Sequence, residues 1–185
     1  MGDSVITVVA IVLAALLMFV FPLMSVSERT DDISQLSVQT ATTDFVDKVR
    51  TEGKLTADSY QDFIDTITST GNTYNVEMEL QILDENPSVK TTQAEKTKIG
   101  ENVYYTLYTS QIEGLLYEED KSGRYDTKNG GSITLKEGDR FSVTVNNTNT
   151  TIAQTLRNFF YRLVGNNTYQ IAAQQAGIVT VNGSK

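Results

Sequence analysis

The sequence predicts an α+β protein: an N-terminal transmembrane helix that continues into a long amphipathic helix, packed with further helices on an antiparallel sheet. Three observations predict it. Residues 5–24 form an uninterrupted apolar run. Apolar stripes of helical period follow on both sides of Gly53. Beyond them, residues 74–82 alternate apolar and polar with period two, and shorter runs of the same kind recur towards the C-terminus.

The apolar run reads VITVVAIVLAALLMFVFPLM, and its only polar side chain is Thr7. At ~1.5 Å per helical residue it spans about 30 Å, the thickness of a bilayer's hydrocarbon core. A lone segment can cross lipid only by satisfying its own backbone hydrogen bonds, so the run is a helix. Pro22, near its end, removes one backbone donor. A cleaved signal peptide calls for a basic leader, and residues 1–4 carry no Lys or Arg. Ser25 and Ser27 offer a small-residue pair of the kind found at cleavage sites, but the expectation is a retained anchor over residues 1–24. The run is apolar on every side, which suits lipid better than one face of a core. Ala10, Ala14 and Ala15 are small enough to let a neighbouring helix approach closely. Together with Val5, Val9, Leu17, Phe19 and Pro22 they are the candidate membrane and assembly residues.

Residues 25–53 are expected to form a helical stem. They contain no Gly or Pro before Gly53, and Val38, Ala41, Phe45 and Val49 fall on one helical face, widened by Val46. The first part, SVSERTDDISQLS, is weakly apolar and reads as solvated. Gly53 is a natural stop. Residues 54–185 then make one domain; about 160 residues beyond the anchor suffice for a core.

Thr56 or Asp58 can cap a second helix, whose Tyr60, Phe63, Ile64 and Ile67 form an i, i+3, i+4, i+7 stripe. Gly71 and Asn72 turn the chain. Tyr74, Val76, Met78, Leu80 and Ile82 alternate with polar residues, which predicts an antiparallel strand with one wet face. Residues 84–100 are polar, contain Pro87 and read as a loop. Val103, Tyr105 and Leu107 suggest a strand, and Ser110 a cap for a short helix holding Ile112, Leu115 and Leu116, weakened by Gly114. After a polar turn over residues 121–131, SITLK and RFSVTVN look like a hairpin joined by Glu137, Gly138 and Asp139. Thr150 or Thr151 begins a helix with a stripe of Ile152, Leu156, Phe159, Phe160 and Leu163, closed by Gly165. One or two final strands surround Gly177.

The composition argues against catalysis. The chain has no His and no Cys, so the commonest general base, thiol nucleophiles, disulfides and thiolate metal sites are all missing. No phosphate-binding loop or dinucleotide fingerprint occurs. The acidic stretch with Glu118, Glu119, Asp120 and Asp126 offers oxygens for Ca²⁺, but its spacing matches no EF-hand loop and it reads as a solvated face. The expectation is no enzyme, no cofactor and no metal. A formal charge of −8, with no basic cluster, disfavours nucleic acid as a partner. Four Asn-x-Ser/Thr sequons begin at Asn146, Asn149, Asn166 and Asn182, mostly by chance in a chain so rich in Asn and Thr. Tyr104, Tyr105 and Tyr108 suit an interface or, more readily, a core.

Residues 40–82, TATTDFVDKVRTEGKLTADSYQDFIDTITSTGNTYNVEMELQI, resemble small membrane-anchored proteins of Tad-type pilus and secretion systems in Gram-positive bacteria. The stretch LKEGDRFSVTVNN, followed by a helix and a Gly-containing final strand, resembles the same TadE-like group. The resemblance implies a pilin-like fold. It also implies a minor pilin or pseudopilin, a single-pass protein of the cell membrane able to enter a surface filament, whose partners are the lipid bilayer and other pilin-like subunits or the pilus and secretion machinery. The short N-terminal tail without basic residues, followed by a long polar domain, is what leads to the expectation that the large domain lies outside the cytoplasm. Prepilins are cut after a Gly, and cleavage after Gly2 would place Thr7 where the family usually carries Glu. The alternative is a membrane-tethered extracytoplasmic binding module of the adhesin kind, which would keep its fold and its ligand without the anchor.

Overall fold

The structure is a computed structural model and describes residues 2–83, 104–117, 131–150, 155, 158 and 171–183. The expected loop over 84–100, the acidic stretch over 118–126 and most of the expected helix over 152–163 lie outside the described residues; Thr155 and Asn158 within that last segment are helical.

One helix, α1 (Gly2–Glu52), runs without a break through both the apolar run and the stem. Fifty-one residues at ~1.5 Å each make it about 76 Å long. It stops where the sequence predicts. Gly53 takes φ 63°, its N–H donates to the Val49 carbonyl at 3.0 Å, and a Cβ there would run into the backbone at Val181 and Gly183. A short strand, β1 (Lys54–Thr56), leads into α2 (Ala57–Thr68). Of the two possible caps the structure uses Thr56. Its hydroxyl accepts from the Ser59 N–H at 3.1 Å while Ser59 Oγ accepts from the Thr56 N–H at 3.2 Å, a reciprocal capping box.

The remaining elements are β2 (Tyr74–Leu83), β3 (Tyr104–Tyr108), α3 (Thr109–Tyr117), β4 (Ser132–Thr134), β5 (Arg140–Asn147) and β6 (Ala172–Ile178). Four strands form an antiparallel sheet in the order β3-β2-β5-β6. Register puts Met78 opposite Val143, Leu80 opposite Phe141 and Leu107, and Ala173 opposite Val145, so one face collects the apolar residues. The helices cover that face. Phe45 of α1 stacks on Phe63 of α2 at 4.6 Å between centroids and meets Phe141 of β5 edge-on at 5.7 Å. The other face carries Asn75, Glu77, Glu79 and Gln81 beside Ser142 and Thr144, as period two requires.

The hairpin expected over residues 132–147 does not form. β4 pairs instead with β1, placing Leu55 opposite Ile133, while β5 lies between β2 and β6. The turn itself is present. Gly138 takes φ 97°, and the buried Asp139 carboxylate accepts from the backbone N–H groups of Lys136 and Leu83, both at 2.8 Å. Both strands around it bury apolar side chains, but Ile133 lies opposite Leu55 of β1, and Leu135 N–H donates to the carbonyl of Gly53, just past the end of α1, at 2.8 Å. The turn therefore carries the chain from one sheet to another. Gly114 does not interrupt α3, because Ile112 and Leu116 on either side are held in the core.

Candidate functional site

The feature that sets this molecule apart is the division of α1 into two halves with opposite surroundings. From Asp31 onwards one face is buried. Asp31, Ser34, Val38, Thr42, Phe45, Val46 and Val49 are all enclosed. The stretch SVSERTDDISQLS, expected to be solvated, is therefore part of the packed face from Asp31. From there the helix lies along β6, and the buried Thr42 hydroxyl donates back to the Val38 carbonyl of its own helix at 2.7 Å.

Three sets of contacts fasten the stem. The Gln35 side-chain amide pairs with the peptide of Ala172 in both directions: Nε2 donates to the Ala172 carbonyl at 2.7 Å, and Oε1 accepts from its N–H at 3.0 Å. A side chain thus takes the place of a neighbouring strand at the sheet edge. At the other end, Arg50 Nε donates to the Ile178 carbonyl at 2.9 Å, while Nη1 meets Asp47 Oδ1 at 2.7 Å. The Arg50 carbonyl accepts from Thr180 N–H at 3.2 Å. Between these points β6 turns Ala173 and Gly177 towards the helix, and small residues allow a close approach. A Cβ on Gly177 would fall within the Arg50 side chain.

The N-terminal half has no such surroundings. Its most apolar 18-residue window has a mean hydropathy of 2.9 and none of it is buried. By length and composition this helix can cross a membrane; unlike the core helix of a soluble domain, its apolar window is unburied among the described residues. All the sequence-predicted membrane and assembly residues, Val5, Val9, Ala10, Ala14, Ala15, Leu17, Phe19 and Pro22, are exposed here. They do not form one patch. At 100° per residue, Ala15, Phe19 and Pro22 share one side while Ala10, Ala14 and Leu17 share the opposite one. The exposed apolar residues Val26, Ile33 and Leu36 of the stem were not anticipated. Their signal in the sequence is a seven-residue spacing that joins the apolar run.

Elsewhere the chemistry is structural. Among the described residues no group of three or more acidic side chains is placed to hold a metal. The shallow groove between α1 and α2 has Asp44, Lys48 and Asp62 above a floor of Phe45 and Phe63, side chains already engaged in the core. Burial, then the hydrogen bond that Tyr60 Oη donates to Glu113 Oε1 at 2.9 Å, raises the Tyr60 pKa above the ordinary tyrosine range. Tyr117 is raised too, by burial and then by the charges of Glu113 and Asp58. Both effects keep a phenol neutral. Of the tyrosines on β3, Tyr105 packs on the core, Tyr104 lies under the Arg140 guanidinium at 4.7 Å, and Tyr108 is exposed. Two sequon side chains are already used: Asn149 Oδ1 accepts from Thr73 N–H at 3.0 Å and Asn182 Oδ1 from Glu137 N–H at 2.9 Å.

No protein-family model, no curated protein and no solved structure matches this chain.

Proposed function

We propose that this chain is a membrane-anchored structural subunit, a pilin-like or pseudopilin component of a Tad-type pilus or secretion apparatus, with its α+β domain outside the cytoplasm. The observation that carries the reading is the division of α1. The most apolar window of its first half is unburied among the described residues, and its second half is fastened along the sheet edge by Gln35 and Arg50. Such a helix transmits any fixed position of the anchor directly to the domain. The likeness of residues 40–82 to TadE-like proteins supplies the choice of apparatus. The lack of His and Cys and the use of the perturbed tyrosines in packing favour a role in assembly over catalysis.

A C-terminally tagged chain expressed in its host tests the proposal. Recovery in a sheared, high-molecular-weight fraction is the expected result. Retention in the membrane after shearing, with the domain open to external protease, would remove the filament role and leave an accessory protein or an adhesin-like module. Recovery as soluble protein inside the cell would overturn the proposal as a whole.

A further inference from the structure

Both edge strands of the four-stranded sheet lack the usual protection. β3 reads YYTLY and β6 reads AAQQAGI, with no charge and no Pro in either. The inner strands β2 and β5 carry Glu77, Glu79 and Arg140. Edge strands are normally blunted by charged side chains or Pro, because their unpaired N–H and C=O groups invite another strand. The hydrogen bonds show which groups are open here. Ala172 turns its N–H and C=O away from β5 to Gln35, and Ile178 turns its carbonyl to Arg50, so the even-numbered residues of β6 point their backbone groups off the sheet. Between those two clamps, Gln174 and Ala176 have no partner for these groups among the described residues. On the other edge, Met78 N–H donates to Thr109 Oγ1 on the β3 side of β2. Leu80 and Ile82 therefore bond Leu107 and Tyr105, which leaves Tyr104, Thr106 and Tyr108 pointing off the sheet. Gln111 takes the Tyr108 N–H, and Thr106 is open.

We infer that β3 of one copy of the chain adds to β6 of the next, head to tail, with Thr106 opposite the stretch from Gln174 to Ala176, so that the sheet continues from copy to copy. The inference rests on the anchored reading above. Gln35 meets Ala172 and Arg50 meets Ile178, so α1 and β6 run in the same sense, and copies anchored alike all point β6 away from the membrane. β3 runs the opposite way, because three antiparallel pairings separate it from β6. Two β6 edges, or two β3 edges, would therefore meet parallel, the less stable pairing per residue. Only the unlike edges meet antiparallel, as every other pair in this sheet does. The faces match as well. The open residues of both edges lie on the wet side, Thr106 beside Gln81 and Ala176 beside Ser142, so joining open group to open group keeps one face apolar and the other wet. Within one copy Thr106 stands level with Ile178, through Gln81 and Arg140. To reach Ala176 or Gln174 the next copy shifts by two or four residues along the strands, roughly 7–13 Å. A head-to-tail contact with such a stagger does not close on itself and repeats into an open filament.

The chain has no Cys, so thiols can be placed where the contact requires them. Thr106→Cys in one full-length copy and Gln174→Cys in a second, differently tagged copy are expressed together, and native membranes are treated with a short bis-maleimide. Membrane residence is confirmed by flotation. The expected result is a crosslinked pair carrying both tags, several-fold above pairs in which Glu77→Cys, on the wet face of an inner strand, replaces either edge thiol. Ala176→Pro separates edge pairing from folding. The N–H it removes points away from β5, so no bond within the sheet is lost, and edge strands accept Pro. Added to the Gln174→Cys copy, it should leave the circular dichroism unchanged and reduce the crosslink several-fold. Self-crosslinking of Thr106→Cys or of Gln174→Cys to the same extent, equal yields with Glu77→Cys, or an undiminished crosslink with a folded Ala176→Pro chain would each overturn the head-to-tail edge contact. Failure to crosslink in chains that float refutes the contact and leaves the anchored subunit standing. Chains that do not float refute the anchor, and the inference with it.

Discussion

Gly177→Ala should destabilise the protein only while Arg50 is present. The substitution places a methyl group within the Arg50 side chain, which lies across Gly177 to bring Nε to the Ile178 carbonyl. Arg50 must move, and that bond is lost. A hydrogen bond from a charged donor contributes roughly 1.5–3 kcal/mol, and partial exposure of the Arg50 side chain brings the expected loss to about 1–2 kcal/mol. Opposing this, Gly177 has no left-handed backbone angle, so Ala fits its conformation and restricts the unfolded chain, which stabilises by about 0.4–1 kcal/mol. The net effect in the natural chain is a loss of up to about 1.6 kcal/mol, centred at about 0.8, or a few degrees in Tm for a chain of this size. In an Arg50→Ala background nothing obstructs the methyl, and the same substitution should raise stability. Thermal unfolding of the full chain in detergent, followed by near-ultraviolet circular dichroism, gives all four corners of the double-mutant cycle. The reasoning is refuted if Gly177→Ala lowers Tm equally in both backgrounds. Helix–strand proximity at that point would then not depend on Arg50.

Phe45→Ala removes the ring that joins α1 to both α2 and β5, and should cost about 3–5 kcal/mol in the same melt. Tyr60 gives a pH dependence with a definite sign: its pKa is raised in the fold, so its contribution is complete below the ordinary tyrosine pKa of about 10 and is lost as pH rises from there through the folded value. Tyr60→Phe should therefore be less stable than the natural chain at neutral pH, by about 1 kcal/mol for the lost bond to Glu113, and should lose less on alkaline titration. Leu13→Arg places a charge near the middle of the apolar run, at a cost of about 2.5–3.5 kcal/mol for insertion, and should shift the protein out of the carbonate-resistant membrane fraction. Unchanged membrane retention would count against the anchor.

Much of this protein is written in local pattern. A run of twenty residues with Thr7 as its one polar side chain and no charge states a membrane-length helix. The stripe of Tyr60, Phe63, Ile64 and Ile67 after Thr56 states a capped helix with a buried face, and the alternation from Tyr74 to Ile82 states a strand with one wet side. Each of these rests on spacing between near neighbours, where side-chain direction follows directly from backbone geometry.

What the tertiary structure alone decided is the choice of partner. Ser132–Thr134 had the alternation of a strand and a proper turn after it, but a strand's backbone can be satisfied by β1 or by β5, and the structure pairs it with β1, where Ile133 is buried opposite Leu55. Asp31 and Ser34 read as solvated because they are polar residues in a weakly apolar stretch; they are buried where the helix comes onto the domain, Gln35 beside them meeting Ala172 of β6 more than 130 residues further on. Gln35 is an ordinary polar residue until the peptide of Ala172 meets it. Gly177 is an ordinary strand glycine until Arg50 crosses it. Patterns of period two and 3.6 determine which side of an element is apolar, whereas the identity of what covers that side depends on contacts between distant segments, which only the closed fold brings within reach.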